Sequence, residues 1–174
     1  MATLEPSVPD PSEYPSYYQK YMDRIPPGEA VATLERQIGG TLAFLKSIPE
    51  ERAGFRYEPG KWSIREIVGH LSDVERIMTY RALRFARNDQ TPVPGFEPDD
   101  YIPPSGFDGR TLEDLAEEFG NVRRATLSFF RGLDEAAWQR RGQASGFEVS
   151  VRAFPYIVAG HELHHMDVVR TKYL

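Results

Sequence analysis

The chain contains no cysteine. That excludes disulfides, a thiolate nucleophile and any cysteine-based zinc knuckle. A metal ion would have to be held by histidines and carboxylates, and any thiol chemistry would need a thiol from outside. No run of about 18 apolar residues exists, which excludes a transmembrane helix. The first residues, Met1-Ala2-Thr3-Leu4-Glu5-Pro6, show neither a basic region nor an apolar stretch of the secretory kind. The expected setting is therefore cytoplasmic. Basic runs are also missing, and the net charge of −5 argues against nucleic acid as the main partner. Histidine is scarce, with only four in 174 residues. Three of them fall in Gly160-His161-Glu162-Leu163-His164-His165, and the fourth is His70.

What is present describes a packed globule. Apolar residues make up 40% and aromatics 12%, too much for a disordered chain. The length fits one domain with a sizeable core. Residues 1–28 carry six prolines and four tyrosines between Pro6 and Pro27. Proline fixes φ and removes donors, so an extended lead-in packed on the body is expected, with a short helical turn near Tyr17–Met22.

Residues 29–174 divide into four helical stretches. Val31, Leu34, Ile38, Leu42 and Leu45 mark the first by their i, i+3, i+4, i+7 spacing. Ser63 with Glu66 forms a capping box that opens the second, which continues through Ile67, Leu71, Val74 and Met78 to about Arg87. Thr111 caps the third, with Leu115, Phe119, Val122, Thr126 and Phe130 on its inner stripe. Residues 139–149 read as a small hairpin or a plain loop. Ser150 is the expected cap of the fourth helix, which runs almost to Leu174. Between the second and third helices, residues 88–110 form a long proline-rich connection, ordered by Phe96, Tyr101, Ile102 and Phe107. Four long amphipathic helices and no convincing sheet predict an all-α four-helix bundle, with a topology other than simple up-down-up-down.

On a helical wheel His161 and His165 straddle the middle of the fourth helix's apolar stripe, with His164 and Glu162 on opposite flanks. Two unpartnered imidazoles aimed at a core are costly, and i, i+4 is the spacing at which one helix holds an ion between two rings. Core histidines satisfied by hydrogen bonds are the alternative reading. The stretch also matches His-Glu-x-x-His, the zincin protease motif with the Glu as base. Only nine residues follow His165, however, and Val168 and Thr171 occupy positions where the extended motif needs Gly and His. A third ligand is needed, and His70 is the remaining histidine. Three protein ligands would leave an open position, as in catalytic sites.

The segment Lys61-Trp62-Ser63-Ile64-Arg65-Glu66-Ile67-Val68-Gly69-His70-Leu71, followed by Asp73 and Glu75, resembles the second-helix signature of DinB-like proteins. Gly160-His161-Glu162-Leu163-His164-His165 resembles their fourth-helix signature, and Pro94-Gly95-Phe96-Glu97 with Asp100-Tyr101 resembles a loop found in one branch. The resemblance covers about residues 29 to 174. It implies a bundle of DinB/YfiT type in which His70, His161 and His165 bind a divalent metal ion, with His164 not a ligand. It also implies a metal-dependent hydrolase acting on a small-molecule substrate, or a thiol-dependent S-transferase using an external low-molecular-weight thiol, or a non-catalytic metal- or ligand-binding bundle. Homodimers are common in such proteins. Three imidazoles suit zinc or nickel first, and iron or copper also. Glu162, Asp73 and Glu75 are candidates to accept the free N–H of a ligand histidine, with solvated surface carboxylates as the alternative. Arg81 and Arg84 are candidates to attract an anionic substrate or, alternatively, solvated or acid-paired arginines.

Overall fold

The computed structural model describes residues 5–174, so the first four residues of the lead-in lie outside it. The lead-in passes through two short 3-10 turns, Pro11–Glu13 and Ser16–Tyr18, into a one-turn helix α1 (Gln19–Met22). It is tied to the body at several points. The Glu5 carboxylate accepts from the backbone N–H groups of Val31 (3.0 Å) and Ala32 (2.7 Å) and so caps helix α2 (Ala30–Ser47) from outside that helix. Arg152 is paired with the buried Glu13, and Tyr156 Oη accepts from Gly28 N–H at 2.8 Å. Tyr14, Tyr21, Met22 and Ile25 enter the apolar core.

Helix α3 (Ile64–Ala86) opens on the expected capping box: Ser63 Oγ accepts from Glu66 N–H, and Glu66 Oε2 accepts from Ser63 N–H. The 88–110 connection is ordered but is not a plain loop. Its middle forms a short helix α4 (Pro98–Ser105) and a 3-10 turn, Phe107–Gly109. Pro98 sits at the first helical position, where no N–H is needed, and Gly106 closes the helix at φ 69°. Thr111 caps helix α5 (Leu112–Arg131) by accepting from Asp114 N–H, and a five-residue helix α6 (Glu135–Gln139) follows behind the Asp134 cap.

Residues 141–150 form a hairpin of strand β1 (Arg141–Ala144) and strand β2 (Phe147–Ser150), paired antiparallel. Ser145 and Gly146 turn it with φ of 55° and 82°, the conformation that matches the strands' twist. Val93 of the connection adds backbone bonds to Gln143 and Ser145. Ser150 does not cap the last helix, since its backbone is committed to the ladder opposite Arg141. Helix α7 (Ala153–Val168) begins three residues later from Arg152 and ends in a wide π-type turn, Val169–Tyr173.

The four long helices form a bundle in which the first two, α2 and α3, are not packed together, and neither are the last two, α5 and α7. Helices α2 and α3 sit diagonally, each packed against both α5 and α7. This departs from an up-down-up-down order, in which consecutive helices pack together. The core falls into two apolar clusters. Leu34, Met78, Phe130 and Ile157 belong to one, and Leu45, Ile64, Leu115 and Val169 to the other. Between them each helix contributes polar side chains: Thr41 from α2, His70 and Glu75 from α3, Arg123 from α5, His161 and Glu162 from α7. All six are buried. A polar layer therefore crosses the bundle at its waist.

One glycine decides how close the lead-in comes to this layer. A Cβ on Gly160 would lie 2.2 Å from the Tyr21 carbonyl oxygen. Glycine thus lets α1 cross α7 directly above His161. Gly160→Ala is expected to force α1 away and lower stability by about 1–3 kcal/mol, as overpacking does. Urea unfolding of the two proteins measures the difference.

Candidate metal centre

Helix α3 brings His70, and helix α7 brings His161 and His165, to the same end of a cavity of about 510 Å³. One ring nitrogen from each lies within 4.8 Å of the others. His70 Nε2 and His161 Nε2 are 3.1 Å apart. Two nitrogens bound to one ion at about 2.0–2.1 Å, with ordinary coordination angles, stand about 2.9–3.4 Å apart, so this pair fits a shared ion. His164 turns aside and packs on Tyr21.

The surroundings hold the rings in place. Trp62, just before the α3 cap, packs on His70 at 4.6 Å between centroids and stacks over His165 at 6.3 Å and 15°. Its carbonyl accepts from Tyr173 Oη at 2.7 Å, which fastens the C-terminal turn to the site. Tyr21 sets its ring edge-on to His161.

All three imidazoles are held neutral. Burial lowers His70 to about 4. Burial, then the proximity of His70 and His164, lowers His165 to about 3. Burial and the same crowding push His161 well below its ordinary value. Neutral imidazole is the form that donates a lone pair to a metal.

These low values set an acid sensitivity. In the metal-free protein the unfolded chain takes up these protons near the ordinary histidine value of 6.5, while the folded state resists down to about pH 4. Between those values the unfolded state binds more protons, so stability falls as pH falls. A tenfold difference in proton affinity between the two states is worth about 1.4 kcal/mol, so the loss from about pH 6.5 to about pH 4 should reach several kcal/mol. Urea midpoints across that window check it, and His161→Ala should flatten the slope.

The three carboxylates proposed from the sequence to orient these rings are placed elsewhere. Glu75 binds Arg123 through both oxygens at 2.8 Å. Glu162 accepts from Thr41 Oγ1 and lies 2.7 Å from Arg123 Nη2. Its Oε2 is off the N–H direction, so that contact is an ion pair rather than an aligned hydrogen bond. Asp73 is paired with Arg76 at 3.6 Å, and burial raises its pKa. Among the described residues no carboxylate hydrogen-bonds any of the three rings. For Glu75 and Glu162 the reason is Arg123. It is fully buried, and an unpaired guanidinium there would cost more than the rings gain from oriented carboxylates. Glu162 is thereby removed from the role of general base, which takes the central residue out of the protease-motif reading.

Sequence reasoning passed over Arg123, although the signal exists. Arg123 stands four residues from both Phe119 and Leu127 and seven from Phe130, in the middle of an apolar face. Trp62, Tyr18, Tyr21 and Lys20 also line the cavity, and nothing in their local spacing announces it. Arg81, read as either solvated or substrate-attracting, is buried in the cavity wall, while Arg84 pairs with Asp89 outside it.

Comparison with known proteins agrees with this architecture. A protein of Oceanobacillus iheyensis named "Putative metal-dependent hydrolase OB0413" is 28% identical over 143 residues, covering 80% of this chain and 79% of that one. The solved structure of YfiT from Bacillus subtilis, described as "a probable metal-dependent hydrolase with an unusual four-helix bundle topology", superposes with a TM-score of 0.71 over 97% of both chains. At 16% identity that likeness establishes the fold. No described helix is long and apolar enough to cross a membrane. The sequence profile of the DinB superfamily matches residues 33–169, most of the chain and all four bundle helices but the start of α2, and the chain belongs to that superfamily.

Proposed function

We propose that His70, His161 and His165 hold one divalent metal ion and that the protein is a metal-dependent hydrolase of a small molecule. The observation that carries this reading is the convergence of three neutral, desolvated imidazole nitrogens at the end of a cavity. Among the described residues the one hydrogen-bond-length contact of the three rings is that between His70 Nε2 and His161 Nε2, and no carboxylate bonds them, so a purely structural core role would compensate their burial only in part. When bound there, a divalent ion supplies Lewis acidity and lowers the pKa of water at an open position. The protein's own residues do the rest. The three rings supply nitrogen donors without adding charge. Trp62 and Tyr21 exclude bulk water from one side of the rings, and the Tyr21 phenol, its pKa raised by burial, stays protonated. Zinc or nickel suits three imidazoles best, with iron or copper also compatible.

The test has two stages. Elemental analysis of protein purified without added metal should find about one ion per chain. A panel of activated esters and amides is then screened with and without a glutathione-like thiol. Product formed without thiol supports hydrolysis. Product that requires the thiol would replace this reading with S-transfer, and an ion with no turnover of either kind would leave a binding protein.

A further inference from the structure

The fold contains two deeply buried arginines, and it treats them differently. Arg123, fully buried, faces the carboxylates of both Glu75 and Glu162. Arg81, 2% exposed, has no carboxylate within ion-pair distance among the described residues. Its Nη2 donates at 3.0 Å to the Pro94 carbonyl and the Ser145 hydroxyl, both neutral. Its Nη1 lies 4.0 Å from the Met78 sulfur, the neutral Tyr18 phenol and the Phe96 ring (5.7 Å) sit beside the guanidinium, and its Nε is buried without a hydrogen-bond partner. A buried guanidinium with unspent donors and no counter-charge is costly, and a planar fork of this kind suits a carboxylate or phosphate.

Its position says what it faces. Arg81 lines the same cavity as the three histidines. On α3, His70, Val74, Met78 and Arg81 are offset by four, eight and eleven residues, which at 100° per residue places them on one face. Arg81 follows His70 by three turns, a rise of about 16 Å; both side chains lean toward the N-terminus, and only the longer reach of arginine shortens the gap. Val74 and Met78, with Ile157 from α7, make the wall between the two polar ends apolar. Lys20 at the mouth, its ammonium 4.2 Å from the Tyr17 ring centre, also lacks an ion pair among the described residues. The cavity's one lining carboxylate, Glu97, is exposed and is not paired with Arg81.

We propose that Arg81 is an anion-recognition residue and that the substrate is an elongated molecule with a carboxylate or phosphate at one end and a short apolar body reaching back to the histidines. The assignment of this molecule as substrate rests on the proposed hydrolase function; the anion site itself does not.

The experiment uses the full chain stripped of metal with EDTA and dialysed, at about pH 7.5, where the neutral histidines offer no competing charge. Calorimetric titrations compare hexanoate, hexyl phosphate and uncharged hexan-1-ol. At least one anion is expected to bind about ten- to a hundredfold more tightly than the alcohol, the usual effect of a charge-assisted bond. The tighter of the two identifies the headgroup. Arg81→Met, which keeps the bulk and removes the charge, should bring that ratio to within about twofold. Arg81→Lys, which keeps the charge and loses the fork, should retain part of it. Equal binding of alcohol and anions by the wild type, no binding of either anion at millimolar concentration, or an undiminished preference in folded Arg81→Met would each overturn the proposal. If Arg81→Met does not fold, the wild-type ratio and Arg81→Lys decide. Metal content is read separately, so a chain that prefers the anion yet takes up no ion removes the hydrolase reading and leaves the anion site standing.

Discussion

His161→Ala is expected to abolish metal retention while leaving the fold intact. In the proposed centre each of three nitrogens carries a large share of the binding energy. Structural four-ligand zinc sites bind with about 10–16 kcal/mol, or about 2.5–4 kcal/mol per ligand. Losing one ligand should therefore weaken affinity on the order of 10²- to 10³-fold. Elemental analysis of His161→Ala, His165→Ala and His70→Ala after dialysis should each find far less than one ion per chain. His164→Ala should retain the ion, because that ring packs on Tyr21 outside the three-nitrogen cluster. The metal-free variants should unfold in urea at or near the midpoint of the metal-stripped wild type, since alanine removes a desolvated polar ring along with its packing. An outcome in which His164→Ala and His161→Ala lose metal equally would place the ion elsewhere.

The second large effect lies one layer behind the rings. Arg123→Ala is expected to cost about 3–5 kcal/mol, because it leaves the carboxylates of Glu75 and Glu162 buried together without a cation. Denaturant unfolding reads this directly. Replacing all three charges at once, Arg123→Leu with Glu75→Leu and Glu162→Leu, should be far milder than the single change, since an apolar set of similar volume avoids the desolvation cost altogether. If the single variant were as stable as the triple, the buried network would be contributing nothing beyond its volume. Glu162 adjoins His161 in the chain, so the same network fixes the rotation of α7 and with it the direction of His161 and His165. Arg123→Ala is expected to lower metal affinity as well, by the roughly 10- to 100-fold typical of residues that position ligands.

Much of this was legible without coordinates, for local reasons. The apolar spacing of Val31, Leu34, Ile38 and Leu45, the Ser63–Glu66 box and the Thr111 cap act within one or two turns, so a linear reading captures them. The pairing of His161 with His165 is likewise a property of one helix. The hairpin's Ser145-Gly146 turn is local too, but it competed with Ser150 as a helix cap. The cross-strand bonds to Arg141 settled that competition, and they cannot be seen from residue 150 alone. The helical turn at Pro98–Ser105 was hidden by its prolines, which fall at the first position and at the end, where they do little harm.

The sequence by itself determined four amphipathic helices, a histidine pair on the inner face of the last one and, through its resemblance, the third histidine to set beside them. Tertiary structure alone decided which charges meet. Helices α2 and α3 lie diagonally, so α5 and α7 come between them and bring Arg123 into contact with both Glu75 and Glu162. That is why the carboxylates nearest the histidines in sequence do not serve them. The same packing brings Tyr21 of the lead-in across Gly160 and Trp62 over His70, and it leaves Arg81 in the cavity wall with no counter-charge of its own. Helical periodicity depends on neighbours within a few residues. The balance between a buried charge and its counter-charge depends on groups dozens of residues away, and that balance exists only once the bundle has closed.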